Sequence, residues 1–250
     1  MKKNILFYLT FVFSILFFSC NLNTPNVTDV KLAFNETVIN KICRATGTDS
    51  DNLTLVCNLN IEGEEPVQKT QKITNTDTQT IVFSNVKVGS VVSVSASVEF
   101  NKPVKNQFIE KFEGESEKIT VSEKDTSIPL KIKPVVINGD ADVSINEINL
   151  SLEVVFFDKD NKQLDLGEKN TISINQVNTI KCSVSGDDKS QYTYKYFLNG
   201  NEQKIEEESN TLEISISEEY IAKENLIIVY VFQNDVIISS DFFEFTLIEE

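Results

Sequence analysis

From Val92 to Phe100 the chain alternates without a fault. Val92, Val94, Ala96, Val98 and Phe100 fall on one side, and Ser93, Ser95, Ser97 and Glu99 on the other. A β-strand turns successive side chains to opposite faces, so this period gives one dry face and one wet face, and a helix cannot sort the same residues. Leu53 to Ile61 repeats the pattern, with Leu53, Leu55, Cys57, Leu59 and Ile61 on one face. Half-dry strands must bury that face against a second layer, so the pattern leads to packed sheets.

Around these two anchors the chain reads as short strands separated by turns. Thr37 to Ala45 is expected as a strand, with a turn over Gly47 to Asn52. A hairpin folded symmetrically about Ser50 would set Cys43 opposite Cys57, a spacing suited to a cross-strand disulfide. The alternative is two free thiols in separate strands. Thr80 to Phe83 is a short strand and Asn85 to Gly89 a turn; Phe108 to Phe112 and Lys118 to Val121 are further candidates. Ile128, Leu130 and Ile132 alternate with Pro129, Lys131 and Lys133, and the proline places that segment at an edge. Lys133-Pro134 and Asn138-Gly139-Asp140 then mark a boundary. Beyond it lie seven strand-like segments: Ile148 to Phe157, Thr171 to Ile174, Thr179 to Val184, Tyr192 to Leu198, Thr211 to Ile216, Asn225 to Phe232 and Val236 to Ile248. Asn199-Gly200 between two of them is a type I′ hairpin signal.

The N-terminus carries a different message. Lys2 and Lys3 precede an almost wholly apolar run from Ile5 to Phe18, which ends at Ser19-Cys20 before the polar Asn21 to Asp29. A basic start, an apolar stretch and a small residue before the cut are the parts of a secretory signal peptide. The apolar run is shorter than the roughly 20 residues that span a bilayer. Leu16-Phe17-Phe18-Ser19-Cys20 resembles the lipobox of bacterial lipoproteins, in the relaxed form found in spirochaetes; leucine is usual where Phe17 stands. The resemblance implies that Cys20 is acylated and becomes the mature N-terminus. The expected organisation is a signal peptide over 1–19, a lipidated cysteine and tether over 20–29, one domain over 30–134 and a second over 140–250.

Two further resemblances bear on the fold. The stretch IVFSNVKVGSVVSVSASV, within Thr80 to Ile132, is similar to a segment of immunoglobulin-like and prealbumin-like bacterial modules. TYKYFLNGN, from Thr193 to Asn201, resembles the third strand of bacterial immunoglobulin-like domains, with Tyr196 near the place where tryptophan often packs. IIVYVFQNDVIISSDFFEFTL resembles their last two strands. Cys182 stands where those domains often place a bridging cysteine, but Ile227 to Phe232 offers no partner, which makes Cys182 a lone buried thiol. The expected fold is therefore all-β, two tandem immunoglobulin-like sandwiches after a signal peptide and a flexible tether.

Composition narrows the chemistry. The chain has no histidine, which removes the commonest general base, the Ser-His and Cys-His arrangements and most zinc sites. Its net charge is −15, so nothing draws it to nucleic acid. Asp158, Asp160, Asn161 and Asp165, and the run Asp49 to Asn52, place oxygen ligands close together, but both lack the glycine and distal glutamate of an EF-hand and read as polar turns. Glu206-Glu207-Glu208 and Glu218-Glu219 read as solvated charge runs. Tyr192, Tyr194 and Tyr196 alternate on one strand; they are a candidate binding face for a sugar or peptide, with core packing as the alternative. No pair of carboxylates stands out for catalysis. The expected function is a non-catalytic, lipid-anchored lipoprotein of a bacterial cell envelope, at the outer membrane, its body periplasmic or surface-exposed and presenting modules for protein binding, adhesion included. The alternatives are a passive spacer, a subunit of a periplasmic assembly, or an enzyme working with carboxylates alone. No cofactor, metal, nucleic acid or small-molecule substrate is expected; the partners are the membrane, through the lipid, and a protein.

Overall fold

The computed structural model describes residues 26–124, 126–137, 148–186, 189–205, 211–220 and 224–249. Cys20, most of the expected tether, the boundary turn Asn138-Gly139-Asp140 and the run Glu206-Glu207-Glu208 lie outside the described residues. The rest is all-β apart from a single α-helix and short 3-10 turns. Among the described residues no helix is long and apolar enough to cross a membrane.

The first sandwich has a three-stranded sheet and a larger one. The smaller orders β4 (Gln79–Lys87), β1 (Val27–Phe34) and β8 (Thr126–Ser127), with β1 and β8 parallel. The larger orders β3 (Val67–Lys72), β2 (Leu53–Ile61), β5 (Val91–Phe100), β6 (Ile109–Glu115) and β9 (Lys133–Val136), and β7 (Ile119–Thr120) pairs with the start of β5. The alternation in β2 and β5 does what its period requires: Leu53, Leu55, Cys57 and Leu59 from one strand and Val92, Val94, Ala96 and Val98 from the other are all buried in one core.

The second sandwich packs two sheets. One orders β11 (Gln163–Leu164), β10 (Leu150–Phe157), β13 (Thr179–Gly186) and β16 (Leu212–Ser215). The other orders β12 (Thr171–Ser173), β18 (Val236–Ile248), β17 (Glu224–Gln233), β14 (Thr193–Leu198) and β15 (Asn201–Gln203), with β12 and β18 parallel. The central strands β10, β13 and β16 on one sheet and β14, β17 and β18 on the other divide as in an immunoglobulin-like sandwich, with the short strands β11, β12 and β15 added at the sheet edges. The Asn199-Gly200 turn joins β14 to β15 with both residues at positive φ, +48° and +77°, as a type I′ turn needs. Cys182 is a buried free thiol of this core.

Four expectations are corrected. Thr37 to Ala45 is not a strand but part of α1 (Glu36–Thr46). The β-branched run Thr37-Val38-Ile39 favours a strand locally, yet helical signals surround it and prevail. Asn35 is the N-cap, its side chain accepting from the Val38 amide at 2.9 Å; Glu36 sits in the first turn and Arg44 in the last. Gly47 closes the helix at φ +66°, its amide donating to the Cys43 carbonyl. Ile39, Ile42 and Ala45 then fall on one buried face.

With Cys43 on a helix, the hairpin that would have set it opposite Cys57 does not exist. Cys57 lies across from Lys69 and Ala96, and both cysteines are free thiols rather than a disulfide. The third correction concerns the end of the first sandwich. Residues 128–132 form no strand; the edge strand is β9, which contains Pro134 in place of the expected Pro129 and continues the sheet to Val136. At the other end β1 begins at Val27, inside the stretch expected to be tether.

Burial of the thiols has a consequence for pH. Cys57 and Cys182 are each pushed up to about 12 by burial, and Tyr230 is likewise pushed up to about 12 by burial, with its hydrogen bond to Asn106 acting against the rise. Each holds its proton more tightly folded than unfolded. Its contribution to stability is therefore complete below the ordinary value of the group and is lost as pH climbs from there toward 12. Each group in that window takes away up to ~1.4 kcal/mol per pH unit. The expected result is a melting temperature that holds to about pH 8.5 and falls steadily above pH 9, with a shallower fall in Cys57→Ala once its own lower baseline is subtracted. A melting temperature unchanged to pH 11 would contradict it.

Candidate functional site

The most informative stretch of the second sandwich is β17. Its residues Leu226-Ile227-Ile228-Val229-Tyr230-Val231-Phe232 are an unbroken apolar run, and all are buried. A strand with one wet face alternates; one that does not alternate is covered on both sides. Ile227, Val229 and Val231 point into the core of their own sandwich. Leu226, Ile228, Tyr230 and Phe232, together with Phe197 of β14 and Ile237 of β18, belong instead to the core of the first. The core of the first sandwich thus extends onto the second, and the sheet containing β17 lies between the two cores.

The first sandwich meets this sheet with α1 and with the segment before β6. Phe108 stands edge-on to Phe197, Tyr230 and Phe232, at 5.6, 5.3 and 5.5 Å between ring centres. Such pairs add to the hydrophobic gain of burying the rings. Beside them Asn106 is fully buried and its amide is satisfied on both sides of the junction: Nδ2 donates to the Ala45 carbonyl at 2.9 Å and to the Tyr230 hydroxyl at 3.0 Å. The C-terminal end of α1 rests on the β14–β15 turn, where a Cβ on Gly200 would collide with the Gly47 backbone. Around the rim Arg44 bonds Glu224 at 2.6 Å, and Lys41 bonds Glu244 at 3.1 Å.

Two of the hollows along this junction border α1. One is broad and polar, about 760 Å³, lined by Glu36, Asn40, Arg44, Asp49, Lys105 and Glu224 among others. Cys43 borders it, and burial and the nearby Asp49 carboxylate push its thiol up to about 11. The other is about 340 Å³ and mainly apolar, lying between α1, β6 and β9 on one side and β17 and β18 on the other. Phe242 at its lip is 55% exposed, with the Lys41 ammonium 4.2 Å above its ring.

The residues singled out in the sequence go elsewhere. Tyr194 and Tyr196 are buried in the core of the second sandwich and Tyr192 is half-buried against it, so the three do not form a binding face. Burial raises the hydroxyls of Tyr194 and Tyr196 above the usual phenol range. Asp158 uses one carboxylate oxygen to accept from the amides of Asp160 and Lys162, both at 2.8 Å, and so shapes its own turn. Among the described residues no group of three metal-ligating side chains comes together. The junction itself had one legible signal, the unbroken Leu226 to Phe232 run.

No family model matches the chain, and no curated protein matches it. Among solved structures, the crystal structure of chicken CNTN1 FN1-FN3 domains is similar over 80% of this chain and 57% of that chain, with 11% identity and a TM-score of 0.24. The chain thus spans little more than half the length of that structure, and at this score the likeness carries no argument about function.

Proposed function

We propose that this chain is a non-catalytic lipoprotein of a bacterial cell envelope, anchored by acylated Cys20 at the outer membrane, whose two sandwiches act as one stiff body that presents a binding surface to a protein partner. The observation that carries the reading is the shared core at the junction, where Phe108 sits among Phe197, Tyr230 and Phe232. A flexible pair of modules would not bury the outward side chains Leu226, Ile228, Tyr230 and Phe232 of β17 between them. The direction of the chain supports presentation. Asn26 enters the first sandwich at the β4–β5 turn, where its carbonyl accepts from Val88. β1 then runs eight residues, roughly 26 Å at strand rise, before α1 begins at the junction. An anchor ahead of Asn26 therefore holds the near end, and the second sandwich stands beyond the far one.

The test is protease shaving of intact cells beside a detergent-lysed control, together with acyl labelling of the wild type and of Cys20→Ser. Cleavage on intact cells, with label lost in the variant, is the expected result. Cleavage only after lysis would end the adhesion reading and move the partner into the periplasm. A wild type that is processed but unlabelled would end the lipoprotein reading.

A further inference from the structure

We infer that β3 is a dimer edge: it pairs antiparallel with β3 of a second copy of this chain, about a two-fold axis through Thr70, independently of the anchor and of any other protein partner. β3 closes one end of the larger sheet of the first sandwich. Just past it the Ile73 amide donates to the Leu53 carbonyl at 3.0 Å, and Gln71, Lys69 and Val67 stand opposite Leu55, Cys57 and Leu59. An antiparallel ladder bonds alternate residues to one neighbour. The odd-numbered residues therefore serve β2, and the amides and carbonyls of Gln68, Thr70 and Lys72 turn outward. Among the described residues no strand continues the ladder on that side. All of β3 except Gln71 is exposed.

The other edges are stopped. β9 contains Pro134, which has no amide hydrogen. Along the open side of β18 the Phe242 amide donates to the Asp241 carboxylate at 2.8 Å, and Asn170 Nδ2 donates to the Glu244 carbonyl at 2.9 Å. β4 is covered by side chains of β3 itself: Lys69 donates to the Val82 carbonyl, and Gln71 Nε2 donates to Gln79 Oε1 at 2.9 Å. β8, β11, β12, β15 and β16 have two to four residues each. Lysine often guards an edge strand against pairing. Here Lys69 is folded under the sheet, onto Val82 and the Phe83 ring, and leaves the open side clear.

The register follows from the outward residues, which must meet outward residues. Two-fold pairings centred on Lys69 or on Thr70 overlap most of the strand. The first sets two lysines face to face and gives Lys72 a bonded partner, Pro66, that lacks an amide hydrogen. The second sets Thr70 opposite Thr70, Gln68 opposite Lys72 and Lys69 opposite Gln71, with every bonded pair complete and no like charges opposed. The same patch then serves both copies, and the contact closes on itself as a dimer.

The experiment uses the full chain as the cell makes it, oxidised mildly and read by mass without reductant. The background is Cys43→Ser, since Cys57 and Cys182 are buried. Directly opposed, bonded residues have Cα atoms about 5.5 Å apart, inside the ~4.4–6.8 Å range of disulfides. Thr70→Cys should therefore give a disulfide-linked homodimer. Gln68→Cys alone should not, because its two copies would stand about 14 Å apart along the paired strands. Gln68→Cys and Lys72→Cys chains made together should link to each other. Gln68→Pro takes away an outward amide that β2 does not use. Added to Thr70→Cys, it should lower the linked fraction about tenfold, the effect of losing one backbone bond from each copy. Thr70→Cys that stays single, Thr70→Cys linked to a different protein in place of a second copy, Gln68→Cys alone linking as well as Thr70→Cys, or linkage unchanged by Gln68→Pro would each overturn the inference.

Discussion

Gly200→Ala should be among the most damaging single-methyl changes in this protein, lowering stability by on the order of 3–5 kcal/mol. Two costs combine. Gly200 holds φ +77°, where a side chain adds about 1 kcal/mol or more of backbone strain. The larger cost is steric, because the added Cβ would fall on the backbone nitrogen and Cα of Gly47 at the end of α1. Backbone cannot rotate out of the way as a side chain can. The β14–β15 turn must lift, and it takes with it Asn199, whose side chain accepts from the Leu226 amide at 2.9 Å at the start of the shared sheet face. Gly89→Ala is the control: φ there is +87°, but nothing lies within 4 Å of the new methyl, so only the backbone cost of about 1 kcal/mol remains. Urea unfolding of the two variants separates the terms. A Gly200→Ala loss no larger than that of Gly89→Ala would show that the turn is not pressed on the helix end.

Phe197→Ala should cost about 3–5 kcal/mol and also change how the protein unfolds. The ring is fully buried and stands edge-on to Phe108 and Tyr230, at 5.6 Å from each. It belongs to a strand of the second sandwich but to the core of the first. Its removal therefore empties the shared layer and leaves Tyr194, Tyr196 and Leu198, on the opposite face of β14, packed as before. Calorimetry of the wild type should show one cooperative transition. In Phe197→Ala the transition should split, because the sandwiches no longer melt as a unit. A wild type that already unfolds in two steps would refute the coupling.

The strands were legible where they alternate. β2 and β5 follow the pattern almost to the residue, and all seven expected segments of the second sandwich hold strands. What escaped were the short or polar edge strands such as β3, and elements whose residues answer to two influences at once. α1 has a β-branched start and helical caps; the propensity of Thr37, Val38 and Ile39 pulled one way, and Asn35, Glu36, Arg44 and Gly47 decided the other. With the helix lost went the disulfide, since Cys43 and Cys57 had been paired through a hairpin. β1 was hidden by its neighbours, because Val27 follows a polar, proline-bearing stretch that no apolar period distinguishes. Tyr192, Tyr194 and Tyr196 carried no sign of which way they face, and burial settled it. The junction was half visible. The absence of alternation from Leu226 to Phe232 says that both faces are covered, but nothing local says that the second cover is another sandwich. Asn106 and Phe108, which provide that cover with α1, lie far from β17 in the chain, and only the tertiary fold brings them to Tyr230.

The double-faced β17 also dictates an order of assembly. Until the first sandwich is in place, Leu226, Ile228, Tyr230 and Phe232 form an open apolar strip on a finished sheet, a surface prone to stick to other nascent chains. The first sandwich is made ahead of it, so the docking partner is waiting in the same molecule when β17 emerges. Reversing the two halves by circular permutation would leave every native contact available and still expose the strip during synthesis, with aggregation rather than instability as the penalty.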